Sequence, residues 1–291
     1  MSQPRNRWLV RIILALAVTA FVGVSVLPII GAINDPPSNQ NAASTSSSVA
    51  SSDQISRLQD EVRGYELVLQ REPENETALN GLLEARLQLL RLKQGDIQGV
   101  IQPLEKLAQL NPDQSEYGVL LAQAKQQMGD LEGAAQAYRS ILDTKPGDLN
   151  ALQGMVALLL NQQRPESAVG LLEETLSNAD QGNKIQPGSV DTVAIQVLLG
   201  TVHASQQRYP QATSVYDQAI KKDPQDFRPV LAKAMLFREQ GKVEEAKPLF
   251  DSAVALAPAQ YKDEINRAAA PPPPAPAPPE SPETPSEESS E

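Results

Sequence analysis

The chain has 291 residues, with 25 Lys and Arg against 36 Asp and Glu, a formal net charge of −11, 41% apolar residues and 4% aromatic ones. Zero cysteines exclude disulfides, zinc–thiolate and iron–sulfur sites and a Cys nucleophile, and a single His leaves no histidine cluster for a metal or a triad. The acidic balance argues against nucleic acid as the main partner, because phosphate neutralisation needs clustered Lys and Arg.

In chain order, residues 1–11 form a basic flank carrying Arg5, Arg7 and Arg11, with Trp8 at the expected interface. No ionisable residue appears from Ile12 to Asn34, and the stretch 12–33 rises about 33 Å as a helix, close to a hydrocarbon core of roughly 30 Å. This predicts a transmembrane helix of the signal-anchor type over 12–33; a signal peptide cut after Ala32 is the alternative. The next base after the flank is Arg57. The positive-inside rule then leaves the N-terminus in the cytoplasm and everything after Asn34 on the trans side, in a periplasm or lumen; a cytoplasmic soluble domain is the alternative. Asp35-Pro36-Pro37 ends the helix, and residues 34–56, nearly all Ser, Asn, Gln, Thr and Ala towards the middle, read as a flexible tether. Ser56 with Gln59 then makes a capping-box start, and Leu58, Val62, Tyr65, Val68 and Leu69 recur at helical spacing up to Pro73, which predicts a helix over 57–72.

The following residues repeat. Gly95 to Gly129, Pro112 to Pro146, Val100 to Ala134 to Ala168, Ala212 to Ala246 and Pro224 to Pro258 are all spaced by 34. Five units follow from that period, at 81–114, 115–148, 149–182, 193–226 and 227–260, with an insertion of ten residues, Asn183 to Thr192, between the third and fourth. The first helix after Pro73 begins earlier than the period requires, because Glu76 to Asn80 adds a turn ahead of Gly81. Gln163 stands where Gly is common, Asp180 where Pro is common, and Pro103 and Pro248 fall inside predicted helices, which should bend there. Residues 261–270 read as a short closing helix. Residues 271–291, a proline run followed by a segment with five Glu and no base, read as a disordered tail that is either a solubilising spacer or a ligand for a polyproline-binding groove.

Within the units, the eighth place holds Ala122, Gly200 and Ala234, the twentieth Ala134, Ala168, Ala212 and Ala246, the twenty-fourth Tyr138, Tyr216 and Phe250, and the twenty-seventh Ile141, Ala219 and Ala253. With Pro near the thirty-second place, this pattern resembles the tetratricopeptide repeat (TPR) family. The resemblance implies an all-α, right-handed solenoid of paired antiparallel helices, in which 57–72 is the second helix of a degenerate unit covering one apolar end and 261–270 covers the other. It also implies a concave partner groove lined by the second, fifth, ninth and twelfth or thirteenth places of each first helix. Those places include Gln123 and Gln126, then Asn150, Gln153 and Asn161, then Thr201, then Arg228, Met235 and Arg238.

Such a groove is amide-rich and nearly neutral with a basic edge. Asn and Gln both donate and accept, which suits the backbone of an extended segment or one face of a helix. The same residues also serve as plain soluble surface, so both readings stand. The first unit offers Leu82, Ala85, Leu89 and Leu92 at these places, which disfavours the clamping of a C-terminal carboxylate known in the family. His203, at an eleventh place, reads as a ring filling the core, and the adjacent pairs Glu173-Glu174 and Glu244-Glu245 as solvated faces. Nucleophile-elbow, phosphate-loop and dinucleotide motifs are absent from the sequence, so neither an enzyme nor a cofactor is expected. The expected function is a membrane-tethered scaffold for protein–protein interaction, an assembly or biogenesis factor similar in plan to the anchored TPR proteins of bacteria and of cyanobacterial or plastid thylakoids. A chaperone-like holder of exported or membrane-protein clients is the competing expectation.

Overall fold

The computed structural model describes residues 46–270. The basic flank, the span expected over 12–33, the first part of the tether and the tail 271–291 lie outside them. Among the described residues there are twelve helices, and no strand. They are α1 (Ser46–Arg71), α2 (Glu76–Arg91), α3 (Gln98–Leu110), α4 (Ser115–Gln127), α5 (Leu131–Thr144) and α6 (Leu149–Asn161), followed by α7 (Pro165–Ile185), α8 (Thr192–Ser205), α9 (Tyr209–Lys222), α10 (Phe227–Glu239), α11 (Val243–Leu256) and α12 (Ala259–Ala269). None of these helices is long and apolar enough to cross a membrane.

Two kinds of turn, each with its own chemistry, alternate along the chain. Between units, a Pro at the second position of a tight turn fixes its φ, and the fourth residue's N–H closes the turn on the first residue's carbonyl: Asn75 on Glu72, Gln114 on Asn111, Asp148 on Lys145, and Asp226 on Asp223. The closing residue then caps the next helix. Asn75, Asp148 and Asp226 each accept a backbone N–H of the first turn through the side chain, from Ala78, Ala151 and Arg228 respectively.

Within a unit, the first helix ends in a residue with positive φ: Lys93 (58°), Gly129 (83°), Gln163 (62°), Gln207 (60°) and Gly241 (75°). The next residue's N–H reaches back five residues to a carbonyl in the last helical turn, as in Asp130 to Lys125 and Arg164 to Leu159. The backbone therefore makes the same left-handed turn whether or not Gly occupies it. Gly95, which the 34-residue spacing aligns with Gly129, is not the turning residue; Lys93 is.

Small residues let the helices close on one another: Ala134, Ala168, Ala212 and Ala253 are wholly buried, and the buried rings of Tyr138, Tyr216 and Phe250 fill the space between helices. One buried cluster runs from Leu79 to Val202, and others join α8 to α10, α10 to α12, and α1 to α2. Neither helix of a pair can bury its apolar stripe alone, so buried clusters span neighbouring units.

Local departures from the expected layout have physical causes. Helix α1 starts at Ser46, so residues 46–56 of the expected tether are helical. Ile55, Leu58 and Val62 pack on Ala85, Leu89 and Leu92, and a helix anchored there extends upstream through Ser and Ala at little cost. Helix α2 starts at Glu76, three residues after Pro73, with the turn 76–80 ahead of Gly81 continuous with it as expected. Leu82, Ala85 and Leu89 are core residues rather than groove residues, Ala85 and Leu89 beneath α1.

Helix α7 meets no Pro at 180 and runs on to Ile185. There Asn183 folds the insertion back, donating from Nδ2 to the Val190 carbonyl and accepting the Val190 N–H, both at 2.9 Å. Val190 is thereby pressed against Gly147, where a Cβ would lie 2.9 Å from its Cα. Pro103 and Pro248 do lie inside α3 and α11.

Candidate partner-binding groove

Helix α4 packs on α6, α6 on α8 and α8 on α10, whereas no two second helices among the described residues pack as closely. First helices therefore line the inner side of the array. Helix α2 joins them through Tyr117, whose hydroxyl donates to Asn80 Oδ1 at 3.0 Å.

On this inner side the polar residues singled out in the sequence differ in availability. Gln123 on α4 and Asn150 and Asn161 on α6 are exposed; Gln126 and Gln153 are half-buried. Thr201 on α8 is half-buried and already engaged, its hydroxyl donating to the Val197 carbonyl at 2.8 Å and lying 3.3 Å from the Tyr216 hydroxyl. Its neighbours at the second and fifth places of that unit, Ala194 and Val197, are buried. The trough is thus open over α4 and α6 and packed shut at the start of α8.

The basic edge is also committed. The Arg228 guanidinium donates to both oxygens of Asp226 and, through Nη1 at 2.7 Å, to Asp191 Oδ2. Burial opposes its charge, but the bonds to Asp226 and Asp191 outweigh burial and hold the guanidinium above its ordinary range. Arg238, ten residues and therefore about 15 Å along the same helix, lies 5.4 Å from the Phe250 ring centroid, and burial pulls its pKa below the ordinary value. Met235 packs on the cluster around Val230, Ala234 and Phe250. Positions on α10 therefore act mainly in structure, and the freely presented amides are those of α4 and α6.

The chain's periodicity did not reveal the inter-unit bonds along the rim. Asp148 caps α6 and accepts the Ser115 hydroxyl at 2.5 Å, and Asp191 caps α8 and accepts Arg228 from the following unit. For Asp148 the readable signal is its place three residues after Lys145, the first residue of its turn, and for both residues the second partner depends on how units stack. A second concavity, of about 500 Å³, lies on the outer side between α3, α4 and α5, with Gln109, Ser115, Gln136, Ser140 and Thr144 on its walls and the Lys125–Glu105 ion pair (2.8 Å) at one end. Among the described residues no group of acidic or His side chains is placed to hold a metal ion.

Two stretches of the chain match tetratricopeptide repeat models, residues 126–186 and 197–261. Among curated proteins, the chain is 26% identical over 151 residues to cellulose synthase operon protein C of Pseudomonas fluorescens (strain SBW25), covering 52% of this chain and 12% of that protein. It is 26% identical over 192 residues to protein SLOW GREEN 1, chloroplastic, of Arabidopsis thaliana, covering 66% of this chain and 58% of that protein. The chain thus spans less than two thirds of either relative. Similar solved structures include a tetratricopeptide repeat protein from Parabacteroides merdae (16% identity, 75% of this chain and 89% of that one, TM-score 0.43) and a thermophilic TPR protein of Thermus thermophilus (21% identity, 64% and 96%, TM-score 0.39). With its helix pairs, its recurrent left-handed turns and these two matched stretches, the chain belongs to the tetratricopeptide repeat family, whose solenoids are protein-interaction scaffolds.

Proposed function

We propose that the chain is a membrane-tethered scaffold that holds a protein partner against the inner faces of α4 and α6, acting as an assembly or biogenesis factor. The observation that carries this reading is the set of amides presented by two adjoining first helices: Gln123 and Gln126 on one, Asn150, Gln153 and Asn161 on the other. Paired donors and acceptors along such a strip suit an uncharged backbone segment of a partner. Tethering rests on the uncharged run 12–33 behind Arg5, Arg7 and Arg11. A role in assembling photosynthetic, pigment-making or polysaccharide-making complexes is compatible with relatives named for a chloroplast and for a cellulose synthase operon.

The test is site-specific photo-crosslinking in the native membrane from Gln123 and Gln153, with exposed Gln218 on α9 as the control. One saturable adduct from the inner positions alone is expected. A broad ladder of adducts would favour the chaperone-like reading instead, and equal yields from all three positions would remove the groove from the argument. For the tether, single cysteines at Ser2 and Ser48 are probed with a membrane-impermeant thiol reagent in intact cells. Labelling at 48 alone supports the trans-side placement, and labelling at 2 alone reverses it.

A further inference from the structure

His203 is one of two buried polar or charged residues among the described ones, with 9% of its surface exposed. The other, Thr175, gives its hydroxyl to the Leu171 carbonyl at 2.8 Å. His203 has no such outlet: its Nδ1 is buried and meets no hydrogen-bond partner. The ring stands in the last turn of α8, where three elements meet. Glu166 and Glu173 face it from α7, and Arg208 faces it from the turn leading into α9. Arg208 ties these elements together, pairing with Glu166 through its guanidinium and donating its backbone N–H to the His203 carbonyl at 2.9 Å.

A proton added at Nδ1 would point at no acceptor and would place a second cation beside Arg208. Glu166 and Glu173 favour the charged ring, but both are exposed, and Glu166 is already paired with Arg208. Water and salt screen such partners, whereas the cost of burying the charge is not screened. Burial first, and then Arg208, hold the imidazole below its ordinary value of about 6.5.

We propose that His203 is an acid-responsive pin at the junction of the third and fourth units. Its neutral ring holds α7, α8 and the α8–α9 turn together, and its protonation loosens that junction and the alignment of α6 with α8. Because the ring titrates lower in the closed form than in the open one, its stabilisation is complete above the ordinary histidine value. It is lost as pH falls through that value towards the depressed one. The pin does not depend on what occupies the inner groove.

This is the chain's single histidine, so its ring-proton resonance in the full chain can be assigned without a mutant and titrated directly. A midpoint below about 6.5 is expected; one at or above it overturns the proposal. In parallel, amide exchange in α7 to α9 is compared at about pH 7.5 and about pH 5, corrected for intrinsic rates. Junction opening should rise roughly tenfold per pH unit across the window between the two values in the wild type. It should rise in neither H203F, which keeps a ring, nor H203Q, which keeps a polar side chain. An equal acid response in wild type and in whichever variants fold overturns the pin.

Discussion

Arg86 fills the hydrogen-bonding place that Pro103 leaves empty. Within α3 the Gly99 carbonyl would ordinarily accept the N–H of residue 103; Pro has none, and the Arg86 guanidinium donates to that carbonyl while also pairing with Glu66 of α1. One side chain thus joins three helices, with 19% of its surface exposed. Arg86→Met is expected to cost about 1.5–3 kcal/mol, the range for a hydrogen bond from a charged group whose removal leaves a carbonyl unpaired. In a Pro103→Ala background, where the backbone can satisfy Gly99 itself, the cost should shrink. A double-mutant cycle read from urea denaturation measures the difference, and strict additivity would separate the two residues.

Gly154 and Gly200 are small because tyrosine rings press on them. A Cβ at Gly154 would come 2.3 Å from Tyr138, and one at Gly200 2.3 Å from Tyr216. Both rings are buried and cannot swing aside. Gly154→Ala and Gly200→Ala should therefore destabilise by about 1–3 kcal/mol despite the better helix propensity of Ala. Gly170→Ala, on an exposed position of α7 with nothing within 4 Å of the added carbon, should instead stabilise by about 0.5–1 kcal/mol. Thermal midpoints of the three variants check the contrast.

The left-handed turns give a prediction of opposite sign at equivalent places. Gln163 and Gln207 adopt φ of 62° and 60° with a Cβ in place, a conformation that costs L-residues about 1–2 kcal/mol. Their replacement by Gly should raise stability by up to about 1 kcal/mol after the entropy of the unfolded chain is counted. Gly129→Ala and Gly241→Ala should lower it by a similar amount. Shifts in denaturation midpoint at constant slope would establish both.

Burial pushes the Tyr138 phenol up to about 12, and it raises Tyr216 as well, with the Thr201 contact opposing. A phenol whose folded value lies above its unfolded value of about 10 stabilises the fold fully below that pH, and the contribution is lost as pH climbs towards the folded value. Stability should therefore fall between about pH 10 and about pH 12. Ultraviolet titration should show two tyrosines ionising only as the helices unfold. Smooth ionisation of all six tyrosines near pH 10 in the folded chain would contradict the packing at Tyr138 and Tyr216.

Much of this fold was legible because its turns are chemical. Pro112, Pro146 and Pro224 each stand three residues before a helix start, and Pro73 stands three before Glu76, so the start of α2 could be read from that offset alone. Gly95 keeps the 34-residue frame but does not mark the turn, because a Gly in a loop looks the same whether it makes the turn or merely follows it. The helices that carry Gln123, Gln126, Asn150, Gln153 and Asn161 were legible from the period. The closing of the trough at Ala194 and Val197 was not, since it depends on how tightly α6, α8 and α10 approach. Arg86 was illegible for the same reason: its acceptor belongs to a helix thirteen residues away, and its need arises from a proline that breaks a bond within that helix.

The clasp of Arg228 by Asp191 and Asp226 has an electrical consequence. A cation held between two carboxylates projects almost no positive field beyond a Debye length, about 8 Å at physiological salt. What an approaching molecule senses from that end of the trough is at most a faint net negative potential. Association with the inner face should accordingly proceed without long-range attraction of acidic partners to the Arg228 end of the trough.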